Sequence, residues 1–178
     1  MKSDIIVIDS QGNGYDLALK EAKKVAVFTE LNHKSGLQLQ LCAEELLSLA
    51  RSVTGEIKAS FWIETEGNQF CLHLSTKTEM DKEKRGLLIS ASTTRKNEAA
   101  KSFLGKIRDS IEEALAAEVD HSDQIPDDLY NDLANRVIEC ADPEWDGYEQ
   151  STLRRLADRI AIGIRGGKVD ITVVKSFK

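Results

Sequence analysis

Apolar positions in this 178-residue chain change their period along its length, and the changes mark its elements. The strongest helical repeat runs from Gly36 to Gly55, where Leu39, Cys42, Ala43, Leu46, Leu49, Ala50 and Val53 cover one broad face. A second stripe runs beside it through Leu37, Leu41, Glu44, Ser48 and Ser52, each about one turn from the last. Ser35 suits the N-cap of this helix and Gly55 its stop. Ahead of it, the β-branched run Ile5 to Ile8 predicts a strand, closed by the turn residues Asp9 to Gly14. A helical pattern follows from Tyr15 to about Leu31, broken by Asn32-His-Lys-Ser35.

After Gly55 the period drops to two. Ile57, Ala59, Phe61 and Ile63 alternate with polar neighbours, and so do Phe70, Leu72 and Leu74 beyond Gly67-Asn68. Two such runs around a Gly-Asn turn predict an antiparallel hairpin with one face on a core and one face of mixed polar groups. Met80 to Ser90 reads as a short helix containing Gly86, and Ala91 to Asn97 as a small, polar, basic, mobile loop. Helical patterns return over Glu98 to Glu118, from Pro126 through Ile138, and over Leu153 to Ile164, with Gly166-Gly167 ending the last. Asp120 to Pro126 is a polar linker, Ala141 to Gly147 a turn, and Lys168 to Phe177 a final strand. Strands that do not strictly alternate with helices imply an α+β two-layer sandwich, with a mixed, mostly antiparallel sheet and helices on one face. The length fits a single domain over 1–178, with a helical insertion or appendage at about 120–150.

Composition narrows the function classes. A net charge of −6 argues against nucleic acid as the main partner, because phosphate binding needs clustered positive charge. No apolar run approaches the roughly 20 residues that span a bilayer, and the N-terminal run is too short for a signal peptide. Cys42, Cys71 and Cys140 are too scattered for a disulfide framework and read as buried free thiols, so the expected compartment is the cytoplasm.

Chemistry-bearing patterns are sparse. Cys71 and His73 share a strand face without a third member at fixed spacing, and ordinary strand residues are the better reading. Gly105, Lys106 and Arg108, with Lys101, sit near a helix start after the basic loop that holds Lys96; cations beside helix-start N–H groups favour phosphate, yet a solvated helix face with a packing glycine is the better reading of these residues alone. Trp145 and Tyr148 suit either a partner contact or a loop anchor.

The order of elements carries one resemblance. A strand, a helix, a linker and a helix with Ala43-Glu-Glu-Leu-Leu-Ser48, then a hairpin, a loop, a helix with an internal glycine and a closing strand, resemble the GHKL (Bergerat-fold, histidine-kinase-like) ATPase domain, most nearly the bacterial anti-sigma-factor serine kinases. The likeness covers about Met1 to Leu115 and the closing strand. It implies Glu44 as the N-box general base, Ser48 where the family holds Mg²⁺ with Asn, and Ser48, Lys101, Gly105, Lys106 and Arg108 as nucleotide-binding residues. The chain departs from the family at Ser48 and again at Ser75 to Asp81, which has no glycine where the family has Asp-x-Gly-x-Gly. The resemblance therefore implies a degenerate regulatory protein that binds a protein partner of the sigma-factor or anti-sigma-antagonist type, with ATP–Mg²⁺ binding weak or lost and with no nucleic acid or membrane. The alternative is an active ATP-binding serine protein kinase. A homodimer is left open.

Overall fold

The computed structural model describes residues 1–9, 11–54, 58–99 and 152–178, with the backbone alone for 52–54. Its elements are β1 (Ile6–Asp9), α1 (Tyr15–Phe28), α2 (His33–Thr54), β2 (Lys58–Glu66), β3 (Gln69–Lys77), α3 (Lys82–Ala91), β4 (Arg159–Arg165) and β5 (Lys168–Ser176). The five strands form one sheet in the order β1-β2-β3-β5-β4, and every neighbouring pair is antiparallel. The α+β two-layer arrangement expected from the sequence is the one observed.

Alternation decides which face each strand residue takes. Phe61 and Ile63 on β2, Phe70, Leu72 and Leu74 on β3, Ile160 and Ile162 on β4, and Ile171 and Val173 on β5 are all fully buried. They meet the apolar faces of the helices, including Ala18, Ala22 and Val25 from α1 and Leu39, Cys42, Leu46 and Leu49 from α2. Burial of this kind is worth roughly 1.5–3 kcal/mol per large side chain. The helix pair is close: a Cβ at Gly36 would lie 3.5 Å from the Ala26 Cβ. Gly14 is demanded twice over at the start of α1, since its φ is +84° and a Cβ there would stand 2.2 Å from the Val7 carbonyl oxygen.

Three expectations need correction. The helix expected over Leu153 to Ile164 is helical only over 152–156; Arg159–Arg165 is strand β4. Ile160 and Ile164 are four apart and suit a helix, but with Ile162 between them they equally suit a strand, and the free edge of β5 selects the strand. Gly166-Gly167 is accordingly a hairpin turn, with φ of +56° and +73°, as a tight two-residue connection requires. Helix α2 begins at His33, before Ser35, because the Asn32 side chain caps it by accepting from the Ser35 N–H at 2.9 Å.

The basic loop is tethered to the sheet. Residues 93–98 run along the outer edge of β4. The Thr93 N–H donates to the Ile160 carbonyl and the Glu98 N–H to the Ile162 carbonyl. The Asn97 side chain makes both bonds with Ile164, donating from Nδ2 to the carbonyl and accepting the N–H at Oδ1, each at 2.8 Å. The polar groups of an edge strand are thus covered by loop backbone and one amide side chain. The helices expected over Glu98–Glu118 and from Pro126, and the 120–150 appendage, lie outside the described residues. No helix among the described residues is long and apolar enough to cross a membrane.

Candidate functional site

Helix α2 carries the residues that the sequence singled out. Its core stripe is buried as expected, from Leu39 through Ala50. The neighbouring stripe faces outward: Leu37 is 51% exposed, Leu41 is 37% exposed, Glu44 is exposed and Ser48 is half-buried. Glu44 and Ser48 therefore share one face, one turn apart, on the side of the helix away from the sheet. The last turn of α1 abuts the start of α2 and adds Val27 and Phe28, which are 71% and 75% exposed. Single exposed apolar residues are common on any surface, whereas Leu37 and Leu41 stand one turn apart on one helix face.

Glu45, the other carboxylate of the pair, turns toward the interior. It is half-buried and lies near Cys42. Burial pushes the Cys42 thiol up to about 11, with the carboxylates of Asp158 and Glu45 adding to the effect and Lys175 opposing it. Lys175 is anchored to Asp158 at 3.0 Å, and the second oxygen of Asp158 accepts the Ser176 N–H at 2.7 Å. Cys42 is thus an inert buried thiol beside a structural ion pair, not a nucleophile.

Beyond β3, where the family resemblance expects its Asp-x-Gly-x-Gly, the only Asp is already engaged. The Asp81 carboxylate caps α3 by accepting the Lys84 N–H at 2.7 Å. Lys96 is exposed on the edge-covering loop. Lys101, Gly105, Lys106 and Arg108, like Trp145 and Tyr148, lie outside the described residues. No group of three or more His, Cys, Asp or Glu side chains that could hold a metal ion exists among the described residues.

The outer face of the sheet is the second region with chemistry. A one-residue shift in register organises it. Ile6 is opposite Phe61, but Lys2 is opposite Glu64, so four residues of the N-terminal strand match three of β2. The extra residue is a bulge, and it moves Lys2 from the core face to the outer face. There Lys2 Nζ lies 3.2 Å from Glu64 Oε1 and 5.0 Å from the centre of the Trp62 ring. Trp62 stacks on His73, its cross-strand partner, with ring centres 4.9 Å apart and planes 13° from parallel, and its Nε1 donates to Glu64 Oε1 at 3.0 Å. His73 Nδ1 lies 3.1 Å from Thr172 Oγ1 and Nε2 lies 3.6 Å from Glu64 Oε2. Burial under the indole holds the His73 imidazole below its usual value; Glu64 pulls it up, Lys2 pushes it down and Asp170 pulls it up weakly. Hydrogen bonds from Trp62 and Lys2 hold the Glu64 carboxyl below the usual range. An open depression of about 430 Å³ borders this cluster, lined by Met1, Lys2, Glu64, Glu66, Gln69 and Cys71 among others. Cys71 and His73 do share this face, and they act as strand residues: the ring stacks and the thiol is half-buried.

Sequence alternation had marked this face only as mixed polar. Its organisation into cross-strand contacts depends on register and on the bulge, neither of which has a local signal. Comparison of the sequence with models of known protein families finds no match, and comparison with curated proteins finds none either.

Proposed function

We propose that this chain is a degenerate histidine-kinase-like ATPase domain of bacterial anti-sigma-factor type, cytoplasmic, which regulates by holding a protein partner and in which nucleotide binding is weak or lost. The observation that carries the reading is the character of the α2 stripe. Leu37 and Leu41 stand in solvent two turns and one turn before Glu44, and Val27 and Phe28 are exposed in the last turn of α1. Exposed leucines that continue a worn N-box along one helix face suit a protein surface better than a charged cofactor. The order β1-α1-α2-β2-β3 with a closing β4–β5 hairpin is compatible with the resemblance, and the engagement of Asp81 as a helix cap fits loss of the adenine-reading role.

Two measurements test this. Thermal melts with Mg-ATP and Mg-ADP at millimolar concentration are expected to show no shift, whereas a ligand at 100 times its Kd adds about 2.7 kcal/mol. A clear shift, together with phosphorylation of a bound partner that Glu44→Gln abolishes, would establish the active serine kinase instead. The second measurement compares partner capture by the wild-type chain with capture by Leu37→Glu/Leu41→Glu, followed by reconstitution from the two purified proteins. The double variant should melt as the wild type does and lose the partner; equal retention sinks the assignment of this stripe.

A further inference from the structure

Read across the strands, the outer face of the sheet consists of rows, and three of them satisfy themselves. In one, Lys2 opposes Glu64. In the next, Trp62 opposes and stacks on His73, which bonds Thr172. In the third, Ser75 opposes Asp170 and its hydroxyl donates to that carboxylate at 2.7 Å.

The fourth row is different. The register that pairs Ala59 with Thr76 carries Lys58 opposite Lys77; Lys77 is opposite Lys168, and Lys168 is opposite Arg165. All four are exposed, and all four take the face opposite to their buried neighbours Ala59, Thr76, Val169 and Ile164. Four cations therefore stand side by side on four adjacent strands, about 4.8 Å apart and about 14 Å from end to end. Like charges directly opposite each other destabilise a sheet. Little within the row offsets this. Lys168 Nζ reaches Asp170 at 3.0 Å, but that carboxylate already serves Ser75. Asp9, opposite Lys58, attracts it only weakly, because its oxygens serve their own loop, accepting from Asn13 Nδ2 at 2.8 Å and from the N–H groups of Gln11 and Asn13 at 3.0 Å. Lys58, Lys77 and Arg165 have no carboxylate at ion-pair distance among the described residues.

We propose that this row docks an acidic peptide segment of a partner protein, with carboxylates at alternate positions. An extended Glu-x-Glu-x-Glu segment laid across the strands places three side chains over about 13 Å, which matches the row. The charge balance selects a short acidic segment over a nucleic acid. The chain as a whole carries −6, so a long polyanion meets repulsion outside the row, while a short segment meets four cations against the two carboxylates that flank them, Asp9 and Asp170. The surface lies on the opposite side of the sheet from the α2 stripe and does not depend on the reading of that stripe.

Fluorescence anisotropy with a labelled (Glu-Ser)5 peptide tests the proposal. Binding is expected, weakening as salt rises from 50 to 200 mM, and (Gln-Ser)5 should not bind. Lys77→Glu/Lys168→Glu should weaken binding at least tenfold, and the milder Lys168→Gln should weaken it measurably. Lys20→Glu/Lys23→Glu on α1 and Leu37→Glu/Leu41→Glu on α2 should leave it unchanged. The melting temperature of the Lys168→Glu chain should not fall, because the substitution places an opposite charge between Lys77 and Arg165. Peptide binding that is absent, or that survives Lys77→Glu/Lys168→Glu, overturns the proposal. Tighter binding of the oligonucleotide dT10 or of phosphatidylserine vesicles than of the peptide overturns the acidic-peptide assignment.

Discussion

On the inner face of the sheet Phe61, Ile63, Phe70, Leu72 and Leu74 are held by shape, excluded from water against α1 and α2. On the outer face the alternate residues of the same strands, Trp62, Glu64, His73 and Ser75, are held by pairwise chemistry: a ring stack, an ion pair and a hydroxyl–carboxylate bond. The difference teaches where each face has something left over. A packed apolar layer is complete when its volume is filled. A polar layer is complete only when each row finds its complement, and among the described residues Lys58, Lys77 and Arg165 find no carboxylate at ion-pair distance, while Lys168 shares Asp170 with Ser75.

The largest expected effect breaks the inner face. Phe61→Ala removes a fully buried ring from the centre of the core and should cost about 3–5 kcal/mol, read as the shift of a urea-denaturation midpoint. A loss under 1 kcal/mol would mean that the inner layer is not the organising core. Next comes the edge that both faces share. Asn97→Ala deprives both the Ile164 N–H and its carbonyl of a partner and should cost about 1–3 kcal/mol, with faster amide exchange at Ile164.

Outer-face effects are smaller. Trp62→Ala should cost roughly 0.5–1.5 kcal/mol beyond lost area, and it should raise the His73 pKa because the covering indole is gone. An NMR titration of the imidazole reads this directly; an unmoved value would mean that the stack does not shield the ring. The smallest effect is on pH dependence. The His73 pKa is lower in the folded chain than the ordinary 6.5, so below 6.5 the unfolded chain takes up more protons than the folded one. Stability should therefore decline as pH falls from about 6.5 toward the folded value and level off below it. His73→Gln should flatten this part of the stability–pH curve, and an unchanged slope would assign the dependence to other groups.

Much of the candidate site was legible in part. The outward stripe of α2 follows from 3.6-residue periodicity, so Leu37, Leu41, Glu44 and Ser48 could be placed together from spacing alone, and they are together. Which carboxylate of Glu44-Glu45 faces inward depends on how the helix is rolled against its neighbours, and the structure turns Glu45 inward and leaves Glu44 in solvent. The basic row had a faint local signal, in that Lys58, Lys77, Lys168 and Arg165 each end an alternating run. Their opposition is a product of three strand registers and appears nowhere in the sequence order.

The sequence by itself determined β1, α1, α2, α3, the β2–β3 hairpin and β5, because periodicity and turn residues are local and agree with one another. Tertiary structure decided the rest. Strand β4 carries isoleucines that fit a helix or a strand, and only pairing with β5 on one side and residues 93–98 on the other separates the two. The bulge that brings Lys2 over Trp62 arises because Ile6 and Ile8 must face the core while Lys2 must not. A residue's period sets which side of its own strand or helix it takes; what it meets there is set by the neighbouring strand, which is distant in sequence and free to slide until the core fixes the register.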